Sequence, residues 1–499
     1  MPLILPANTL LPSGYNIDNS CRFNRPDAPY MHITPGGDGD LKIFTVSFWV
    51  KRGNLNGGTS GTDRQVIFSN ATNDQFSFHN DKFEFLEDGS TSASTNMLFR
   101  DFAAWYHIVA AFDTNQATNT NRCKIYVNGV QVDQSTGFST MSYVGEDLEM
   151  GFGKGSEMMS VGRSEYDDNR HFNGYLAEFY YINGTMLDHT SFGEFDEDSP
   201  TIWKPKKFTG SYGTNGFYLD FEDSANLGND ANGGTDLTES GLAAADQMLD
   251  TPTNNFCTLN PIAQIGGSDS TTKVYTEGML SANNYKSVDA TVIGTFGITS
   301  GKWYFEAMIT TSGNSGATYG WVNNQFNMDA AIAYNNPSSP TGADTAAIYP
   351  SNDPMVVTAG VHDGDASNWE DTDVDDPGQY GLIGIAADFD NGKMYYSLAG
   401  SFTDVRASQN PATATNPCLA ASGGLKAWTH SNTYGPWFPA IGNWSAATRT
   451  VVVNFGADST FIGQRSAGGN ADGNGYGDFA YAVPSGFYAL CTKNLAEYG

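Results

Sequence analysis

The chain has 499 residues, of which 39% are hydrophobic and 13% aromatic, and its formal net charge is −30 at pH 7. This length exceeds what one hydrophobic core usually organises, so two or three domains are expected. So strong a negative charge repels nucleic-acid phosphate and anionic lipid, and we therefore expect no nucleic-acid partner. The 56 glycines, together with many Asn, Ser, Thr and Asp residues, indicate frequent short turns and favour an all-β chain.

The N-terminus lacks a basic stretch followed by a long apolar core, so no signal peptide is expected. No apolar run approaches the length of a membrane-spanning helix, so no membrane span is predicted. Cysteines are few, odd in number and far apart, which argues against a disulfide framework or a thiolate zinc site. They stand at Cys21, Cys123, Cys257, Cys418 and Cys491.

The first strand pattern occupies residues 44–51, where every second side chain from Phe44 onward is apolar. This period of two predicts a β-strand, and a continuous apolar face suits sheets that pack face to face. We assign an N-terminal arm to residues 1–15 and a first β-sandwich to residues 16–200.

Two Asn-Gly pairs, Asn128-Gly129 and Asn391-Gly392, each separate two strand patterns. Both residue types tolerate positive φ angles, so each pair predicts a hairpin closed by a type I′ turn.

Residues 201–267 have the composition of a connector with little helix, and one strand pattern at 216–221 is expected to dock on a sandwich. A second β-sandwich is assigned to residues 268–499, where alternation resumes at Trp303. The predicted fold class is therefore all-β, with two antiparallel jelly-roll β-sandwich domains in tandem.

Several segments of the first domain resemble the laminin-G and concanavalin-like jelly roll. The resemblance implies two curved antiparallel sheets and carries no ligand residue over by motif. The matching segments are Phe44-Thr45-Val46-Ser47-Phe48-Trp49-Val50, the strand from Trp105 to Phe112, Ile125-Tyr126-Val127-Asn128-Gly129, Met159-Ser160-Val161-Gly162-Arg163 and the strand from Phe172 to Tyr181.

The second domain resembles a SPRY-type sandwich, a fold that also varies its loops. The matching segments are Ser300-Gly301-Lys302-Trp303-Tyr304-Phe305-Glu306, the strand from Tyr380 to Ala386, Asp390-Asn391-Gly392-Lys393, Trp437-Phe438-Pro439-Ala440 and Val451-Val452-Val453-Asn454-Phe455-Gly456.

Residues 246–261 and 484–495 resemble segments of tail-fibre or virion proteins of marine tailed bacteriophages. This resemblance implies a virion protein, made in the host cytoplasm and exposed on the particle, with other virion proteins as partners. Because such proteins repeat by symmetry, a homo-oligomer is expected.

Concanavalin-type sandwiches include glycoside hydrolases, and this resemblance implies that catalytic carboxylates would lie on one face of a strand with the pattern Glu-x-Asp-x-Glu. The nearest stretch places Glu194, Asp196 and Asp198 beside Pro200, at a domain edge rather than in an apolar strand. We therefore expect no enzyme activity and no catalytic residues.

Loop residues suited to sugars are the binding candidates, because aromatic rings stack on sugar faces and polar groups bind hydroxyls. The alternative role for each is to anchor its own loop. One loop carries Arg163, Tyr166, Arg170 and His171, and other polar loops carry Tyr334, Trp369, Trp428, Tyr434 and Trp444.

An acidic loop in the second domain is a candidate calcium site, because closely spaced carboxylates are ligands for that cation. It is not an EF-hand, since Asp376 stands where glycine is needed, and the alternative is a hydrated acidic loop. No other cofactor is expected. The candidate ligands are Asp363, Asp365, Asp371, Asp373 and Asp375.

The sequence thus favours a non-enzymatic phage virion protein, either a tail fibre or a surface-displayed structural protein. Its loops are expected to bind a host surface glycan or neighbouring virion subunits. The alternatives are a purely structural head-decoration or tail adaptor protein with no glycan ligand, and a polysaccharide depolymerase.

Overall fold

The structure is a computed structural model, and contacts divide the chain after residue 254 into two compact units. We call residues 12–254 the first unit and residues 255–499 the second unit. The boundary lies inside the segment 201–267 that the sequence assigns to a connector. The described residues are 14–55, 64–167, 169–263, 274–285, 290–310, 317–323, 345–349, 355–358, 361–363, 381–403, 405–424, 426–430, 435–443 and 449–499.

The first unit is built from short antiparallel strands and a few 3-10 turns. The strands are β1 (Ser20–Phe23), β2 (Tyr30–Ile33), β3 (Ile43–Arg52), β4 (Gln65–Asn70), β5 (Gln75–His79), β6 (Lys82–Glu87), β7 (Ser90–Thr95), β8 (Trp105–Asp113), β9 (Cys123–Val127), β10 (Val130–Gln131), β11 (Phe138–Met141), β12 (Met159–Val161), β13 (Gly174–Asn183), β14 (Gly193–Phe195), β15 (Trp203–Pro205), β16 (Phe217–Leu219), β17 (Thr238–Ser240) and β18 (Gln247–Met248). The 3-10 turns are Arg25–Asp27, Asn119–Asn121, His189–Ser191 and Ala244–Asp246.

Sixteen of these strands form two sheets that enclose a core, and β14 and β15 form a separate two-stranded hairpin. Sheet 1 has the order β10-β9-β8-β3-β13-β1-β18, with β16 paired to β13, and sheet 2 has the order β11-β7-β6-β5-β4-β12-β2-β17. Phe68 of sheet 2 meets Phe179 of sheet 1 edge-on, with 5.4 Å between ring centroids. Each such buried ring stabilises the fold by about 1.5–3 kcal/mol. The alternation from Phe44 is confirmed, because its apolar residues lie in this core.

A buried ion pair fastens the end of the first unit to sheet 1. Lys51 Nζ lies 2.6 Å from Asp250 Oδ2, and both side chains are only 1% exposed. The indole N–H of Trp105 donates to the other carboxylate oxygen, Asp250 Oδ1, at 3.0 Å. Removing one partner of such a pair would leave a buried charge unpaired, so the pair fixes where this segment docks.

A buried histidine fixes the hairpin of β14 and β15. Trp203 Nε1 donates to His107 Nδ1 at 2.9 Å. Since an indole can only donate, the His107 proton lies on Nε2, which contacts Ser47 Oγ at 2.9 Å. Burial lowers the pKa of His107 to about 3, so the ring is neutral in this network.

A buried glutamate lies where β13 bulges. The register of β13 against β3 shifts between Ala177 and Tyr180, and Glu178 has a φ of 50°. Its carboxylate accepts hydrogen bonds from the phenols of Tyr218, at 2.6 Å, and of Tyr180. Burial, the largest influence, raises the pKa of Glu178 to about 7, and the phenol hydrogen bonds oppose this rise.

The second unit is also built from strands. They are β19 (Val274–Thr276), β20 (Ser281–Tyr285), β21 (Ala290–Ile293), β22 (Lys302–Ile309), β23 (Ala317–Asn323), β24 (Thr345–Tyr349), β25 (Met355–Thr358), β26 (Val361–Asp363), β27 (Leu382–Asp388), β28 (Lys393–Leu398), β29 (Leu419–Ala420), β30 (Lys426–Ala427), β31 (Trp437–Asn443), β32 (Arg449–Asn454) and β33 (Tyr488–Ala489). Two 3-10 turns lie at Pro261–Ala263 and Glu277–Met279, and the helix α1 spans Thr492–Tyr498.

These strands form sheet 3, with the order β19-β20-β32-β22-β27-β28-β29-β30, and sheet 4, with the order β21-β31-β23-β24-β25-β26. The short strand β33 pairs with β22 in parallel. Phe305 of sheet 3 packs edge-on against Trp321 of sheet 4, with 5.6 Å between ring centroids. An aromatic core between two sheets is therefore present in the second unit too.

The two predicted hairpins have different outcomes. Asn128 and Gly129 have φ angles of 47° and 77°, and Val127 pairs with Val130, so the two-residue type I′ turn is confirmed. At the second hairpin Asp388 pairs with Lys393, so the predicted hairpin is confirmed, but its loop has four residues and the predicted type I′ turn is wrong. Phe389, the first residue of this loop, is only 2% exposed, and its burial in the core accounts for the longer loop.

The predicted fold class is confirmed: the protein is all-β, with two antiparallel β-sandwiches in tandem. The strand expected at 216–221 lies at Phe217–Leu219 and pairs with β13. All five cysteines are buried, and none of them forms a disulfide bond. Within the described ranges, no helix is long and apolar enough to cross a membrane.

Candidate binding cleft

A cleft of about 310 Å³ opens at one end of the first unit, between loops that join its strands. We call it the rim cleft. One wall is the turn between β4 and β5, another is the turn between β6 and β7, and a third is the loop between β11 and β12. Its lining residues are Leu41, Thr72, Asp74, Glu87, Asp88, Leu148, Glu149, Met150, Gly151 and Lys154.

The carboxylate of Asp74 joins all three walls. Asp74 Oδ2 accepts hydrogen bonds from Asn70 Nδ2 at 3.0 Å and from the backbone amide of Gly151 at 2.8 Å. Asp74 Oδ1 accepts from the backbone amide of Asp88 at 3.0 Å. Because Asp74 is only 4% exposed, these bonds are shielded from water and hold the cleft in one shape.

Local sequence explains why the first wall turns here. Asn70 Oδ1 accepts hydrogen bonds from the backbone amides of Thr72 and Asp74, each at 3.0 Å, which is the pattern of an Asx turn. The third wall approaches this turn closely at Gly151, where an added Cβ would overlap the Thr72 hydroxyl and crowd the Asn70 amide. Glycine at position 151 therefore permits the walls to meet.

The rim cleft combines acceptors with an apolar floor. Burial raises the pKa of the Glu87 carboxyl, and the nearby charges of Asp74 and Asp88 raise it further. Lys154 is the basic residue of the lining, and its Nζ lies 3.7 Å from the half-buried Glu157. Leucine and methionine side chains complete the lining. Such a surface can accept hydrogen bonds from hydroxyl groups while an apolar face packs on the floor.

The predicted loop at 163–171 is brought together, but away from the rim cleft. Arg163 and His171 form a backbone bridge. The Arg163 guanidinium stacks over the Tyr30 ring at 3.6 Å and pairs with Glu165 at 2.9 Å. His171 is 6% exposed. Arg163 and His171 therefore anchor their loop on sheet 2.

The other two residues of that loop lie nearer to solvent. Tyr166 is 69% exposed, and Arg170 Nε lies 3.0 Å from Asp167 Oδ2. Neither lines the rim cleft. Of the four residues, Tyr166 is the one whose ring is open for stacking.

The aromatic candidates of the second unit divide into one buried residue and four that are not described. Trp428 is 3% exposed and packs perpendicular to Trp437, with 5.5 Å between ring centroids. The prediction that Trp428 is exposed in a polar loop is therefore wrong, because its indole packs against Trp437 and Phe389 in the core. The remaining candidates lie outside the described residues: Tyr334, Trp369, Tyr434 and Trp444.

Most of the predicted calcium ligands also lie outside the described residues. Asp363 ends β26, whereas Asp365, Asp371, Asp373 and Asp375 are not described. In the part of the chain that the structure describes, no group of three or more His, Cys, Asp or Glu residues is arranged to hold a metal ion.

The carboxylates considered for glycoside hydrolysis lie on the hairpin of β14 and β15. Lys204 Nζ lies 3.6 Å from Glu194 and 3.3 Å from Asp196. Backbone amides of Asp198 and Ser199 donate to Asp196 Oδ1, which closes the hairpin turn. Both carboxylates therefore have partners that stabilise this turn.

Sequence reasoning missed the rim cleft. The spacing Asn70-x-Thr72-x-Asp74 after an apolar strand is a local signal for a structured turn. No local pattern predicts that Glu149 and Gly151 line the same cleft as this turn, because they follow it by more than seventy residues.

The arrangement defines the first unit as a concanavalin-like jelly roll with a cleft at its rim. A family model described as Laminin_G_3, Concanavalin A-like lectin/glucanases superfamily, matches residues 28–190, about a third of the chain. No curated protein matches the chain.

Solved structures are similar to parts of the chain. The SPRY domain of human HERC1 is 10% identical, with a TM-score of 0.25, covering 39% of this chain and 96% of that domain. A SAP-like pentraxin from Limulus polyphemus is 15% identical, with a TM-score of 0.27, covering 36% and 82%. A candidate carbohydrate binding protein from Bacteroides ovatus is 17% identical, with a TM-score of 0.30, covering 45% and 58%.

Proposed function

We propose that this is a non-enzymatic carbohydrate-binding protein whose first unit holds a saccharide in the rim cleft. The observation that carries the proposal is the Asp74 carboxylate, which joins the three walls of a cleft of about 310 Å³. A cleft held in one shape before binding loses less conformational freedom when the ligand enters. The volume lies at the lower end of small-molecule sites, which suits one or two sugar rings.

The lining supports a polyhydroxylated ligand. Glu87, Asp88 and Glu149 supply acceptors for hydroxyl groups, and Lys154 supplies a donor. Leu41 and Leu148, which are half-buried, supply the apolar surface on which a sugar face packs. The match of residues 28–190 to a superfamily named for lectins and glucanases agrees with this ligand class.

The proposed function does not include catalysis, because the carboxylates Asp74, Glu194 and Asp196 already have structural partners. Within the rim cleft Asp74 already accepts hydrogen bonds on both carboxylate oxygens, so it serves the structure of the walls. Outside the cleft Glu194 and Asp196 are paired with Lys204. Asp74 is thus engaged by the walls, and Glu194 and Asp196 by their hairpin turn, so we assign none of these three the role of acid or nucleophile in glycoside hydrolysis.

We further propose a setting on the surface of a tailed phage particle, as the resemblances of residues 246–261 and 484–495 imply. Weak binding at each cleft would be strengthened by many copies on one particle. The second candidate is a structural virion protein whose loops contact neighbouring subunits. The exposed ring of Tyr166, which lies on a loop outside the cleft, supports this second candidate because it is open to contact with a neighbouring subunit.

A glycan array probed with the full chain tests the proposal. We expect binding to a restricted set of neutral glycans, followed by titration of the strongest ligand against Glu149→Gln and Asp147→Asn. Glu149 lines the cleft, whereas Asp147 is paired with Lys42 outside it. About a tenfold loss of affinity for the first variant alone is expected, which corresponds to one hydrogen bond. Equal affinities, or no binding to any glycan, would refute the proposal.

A further inference from the structure

Three side chains stand side by side across the outer face of sheet 1. Lys51, on β3, pairs with Trp105 on β8 and with Tyr175 on β13. Residues directly opposite each other in antiparallel strands share one face of the sheet. Val50, the residue before Lys51, lies in the core between the sheets, so alternation places this row on the other face.

The last segment of the first unit covers this row and brings a carboxylate onto the lysine. Asp250 Oδ2 lies 2.6 Å from Lys51 Nζ, and Asp250 Oδ1 accepts from the indole N–H of Trp105 at 3.0 Å. The backbone of Asp250 is also held, because its carbonyl accepts from Ser20 Oγ at 2.6 Å. The side chains of Lys51 and Asp250 are each 1% exposed, and the adjacent Tyr175 is fully buried. The amine and the carboxyl group are therefore held in contact and away from water.

Such an environment favours an uncharged product over two charges. A buried ammonium and a buried carboxylate lose their hydration, and their mutual attraction offsets that loss only in part. An amide formed between the same two groups carries no charge and needs only ordinary hydrogen bonds. Its formation releases one water molecule, and a site closed to water does not readily return it. Burial thus favours condensation of Lys51 with Asp250.

We propose that Lys51 and Asp250 form an intramolecular isopeptide bond and that the ion pair is its precursor. In this step Nζ attacks Cγ of Asp250, so the Nζ–Cγ bond forms and the Cγ–Oδ2 bond breaks. Two of the three ammonium protons pass to Oδ2, which leaves as water. The third stays on the amide nitrogen, and Oδ1 becomes the amide carbonyl oxygen. The ion pair itself therefore contains every atom that the reaction needs.

The contacts around the pair assist this step. Reacting groups that are held together behave as if they were present at very high concentration. Nζ must lose a proton before it attacks, and Oδ2 lies in position to accept it. Negative charge then develops on Oδ1, where the Trp105 N–H already donates a hydrogen bond. The indole therefore stabilises the reacting state as well as the precursor.

The bond would join β3 to the end of the first unit, across a separation of 199 residues. Like a disulfide, it would limit the extension of the unfolded chain and so reduce the entropy gained on unfolding. Unlike a disulfide, it would resist reducing agents. The first unit would then stay closed at this point even in denaturant.

Mass spectrometry of the denatured full chain tests the proposal. We expect an intact mass that is lower than the value calculated from the sequence by one water molecule. Trypsin should release a branched peptide in which residues 43–52 are joined to residues 208–273, because the modified Lys51 is no longer cleaved. A wild-type chain with the full calculated mass and no branched peptide would overturn the proposal. This measurement does not depend on whether any variant folds.

Two variants locate the reaction. Lys51→Arg keeps the positive charge but cannot form the amide, so its mass should equal the calculated value. A loss of water that persists in Lys51→Arg would lie elsewhere in the chain and would overturn the assignment. Trp105→Phe keeps an aromatic ring without the N–H donor, and bond formation, followed in samples taken after synthesis, should slow by roughly 100-fold. An unchanged rate would overturn the role given to the indole.

Discussion

The carboxylate of Asp74 accepts a hydrogen bond of 2.8 Å from the backbone amide of Gly151, 77 residues later in the chain. This bond joins the turn after β4 to the loop before β12, and both line the rim cleft. Replacing the residues that join the walls should therefore change both the stability of the first unit and the affinity for a ligand.

Replacing Asp74 by Ala should loosen the cleft and destabilise the first unit. The amides of Gly151 and Asp88 would lose a charged acceptor, and we expect the free energy of unfolding to fall by about 2–4 kcal/mol. Chemical denaturation measures this change. Asp113→Ala serves as the control, because its contacts lie within its own turn. An effect on stability no larger than that of the control would contradict the role of Asp74.

Replacing Gly151 by Ala should disturb the same contact by overcrowding. The new methyl group would overlap the Thr72 hydroxyl, so the two walls must separate. We expect a loss of about 1–3 kcal/mol in stability together with weaker glycan binding. Gly36→Ala, where a Cβ has open space, is the matched control. Unchanged binding in Gly151→Ala would show that the spacing of these walls is not important for the ligand.

The buried pair of Lys51 and Asp250 should contribute far more to the unfolding free energy than an exposed ion pair does. Lys51→Ala leaves Asp250 buried without its cation, and we expect a loss of about 3–5 kcal/mol. Lys42→Ala removes the partner of Asp147, which is 67% exposed, and should cost below about 1 kcal/mol. Thermal and urea unfolding of both variants compare the pairs. Similar losses would mean that the burial of the first pair does not determine its contribution.

Glu178 should make the stability of the first unit depend on pH. Its pKa is raised from 4.5 to about 7, so the folded state retains a proton that the unfolded state has lost. Stability is therefore highest below about pH 4.5 for this group and falls as pH rises to about 7, by about 3 kcal/mol at most.

His107 acts in the opposite direction, because its pKa is lowered from 6.5 to about 3 and its contribution is lost as pH falls through that range. The two groups partly cancel in the wild-type chain. The test therefore compares Glu178→Gln with the wild type at each pH. Their difference in unfolding free energy should change between pH 4.5 and pH 7.5. A constant difference would contradict a raised pKa in the folded state.

Tyr166→Ala separates the two places where a sugar could bind. Because the ring is 69% exposed, its loss should change stability by less than about 0.5 kcal/mol. Binding in the rim cleft predicts unchanged glycan affinity in this variant. A marked loss of affinity would move the site to the loop at 163–171.

Structural features that depend only on residues close together in the sequence were predicted correctly. Alternation from Phe44 placed β3, and the Asn128-Gly129 pair fixed its own turn. The second hairpin differs because the burial of Phe389 outweighs the turn preference of Asn391.

Long-range features could not be predicted in the same way. Trp428 follows a polar stretch, and only the fold brings it against Trp437. The rim cleft depends on Asp74 reaching Gly151, a contact that no local pattern encodes. The four residues expected to bind at 163–171 do gather in one loop, but Arg163 is used to stack over Tyr30.

A crystal structure of the full chain with its strongest array ligand tests carbohydrate binding most directly. Density for a sugar ring within hydrogen-bonding reach of Glu149 and Lys154, packed against Leu148, is the expected result. A sugar bound only elsewhere, or an empty cleft at saturating ligand, would contradict the assignment of the rim cleft.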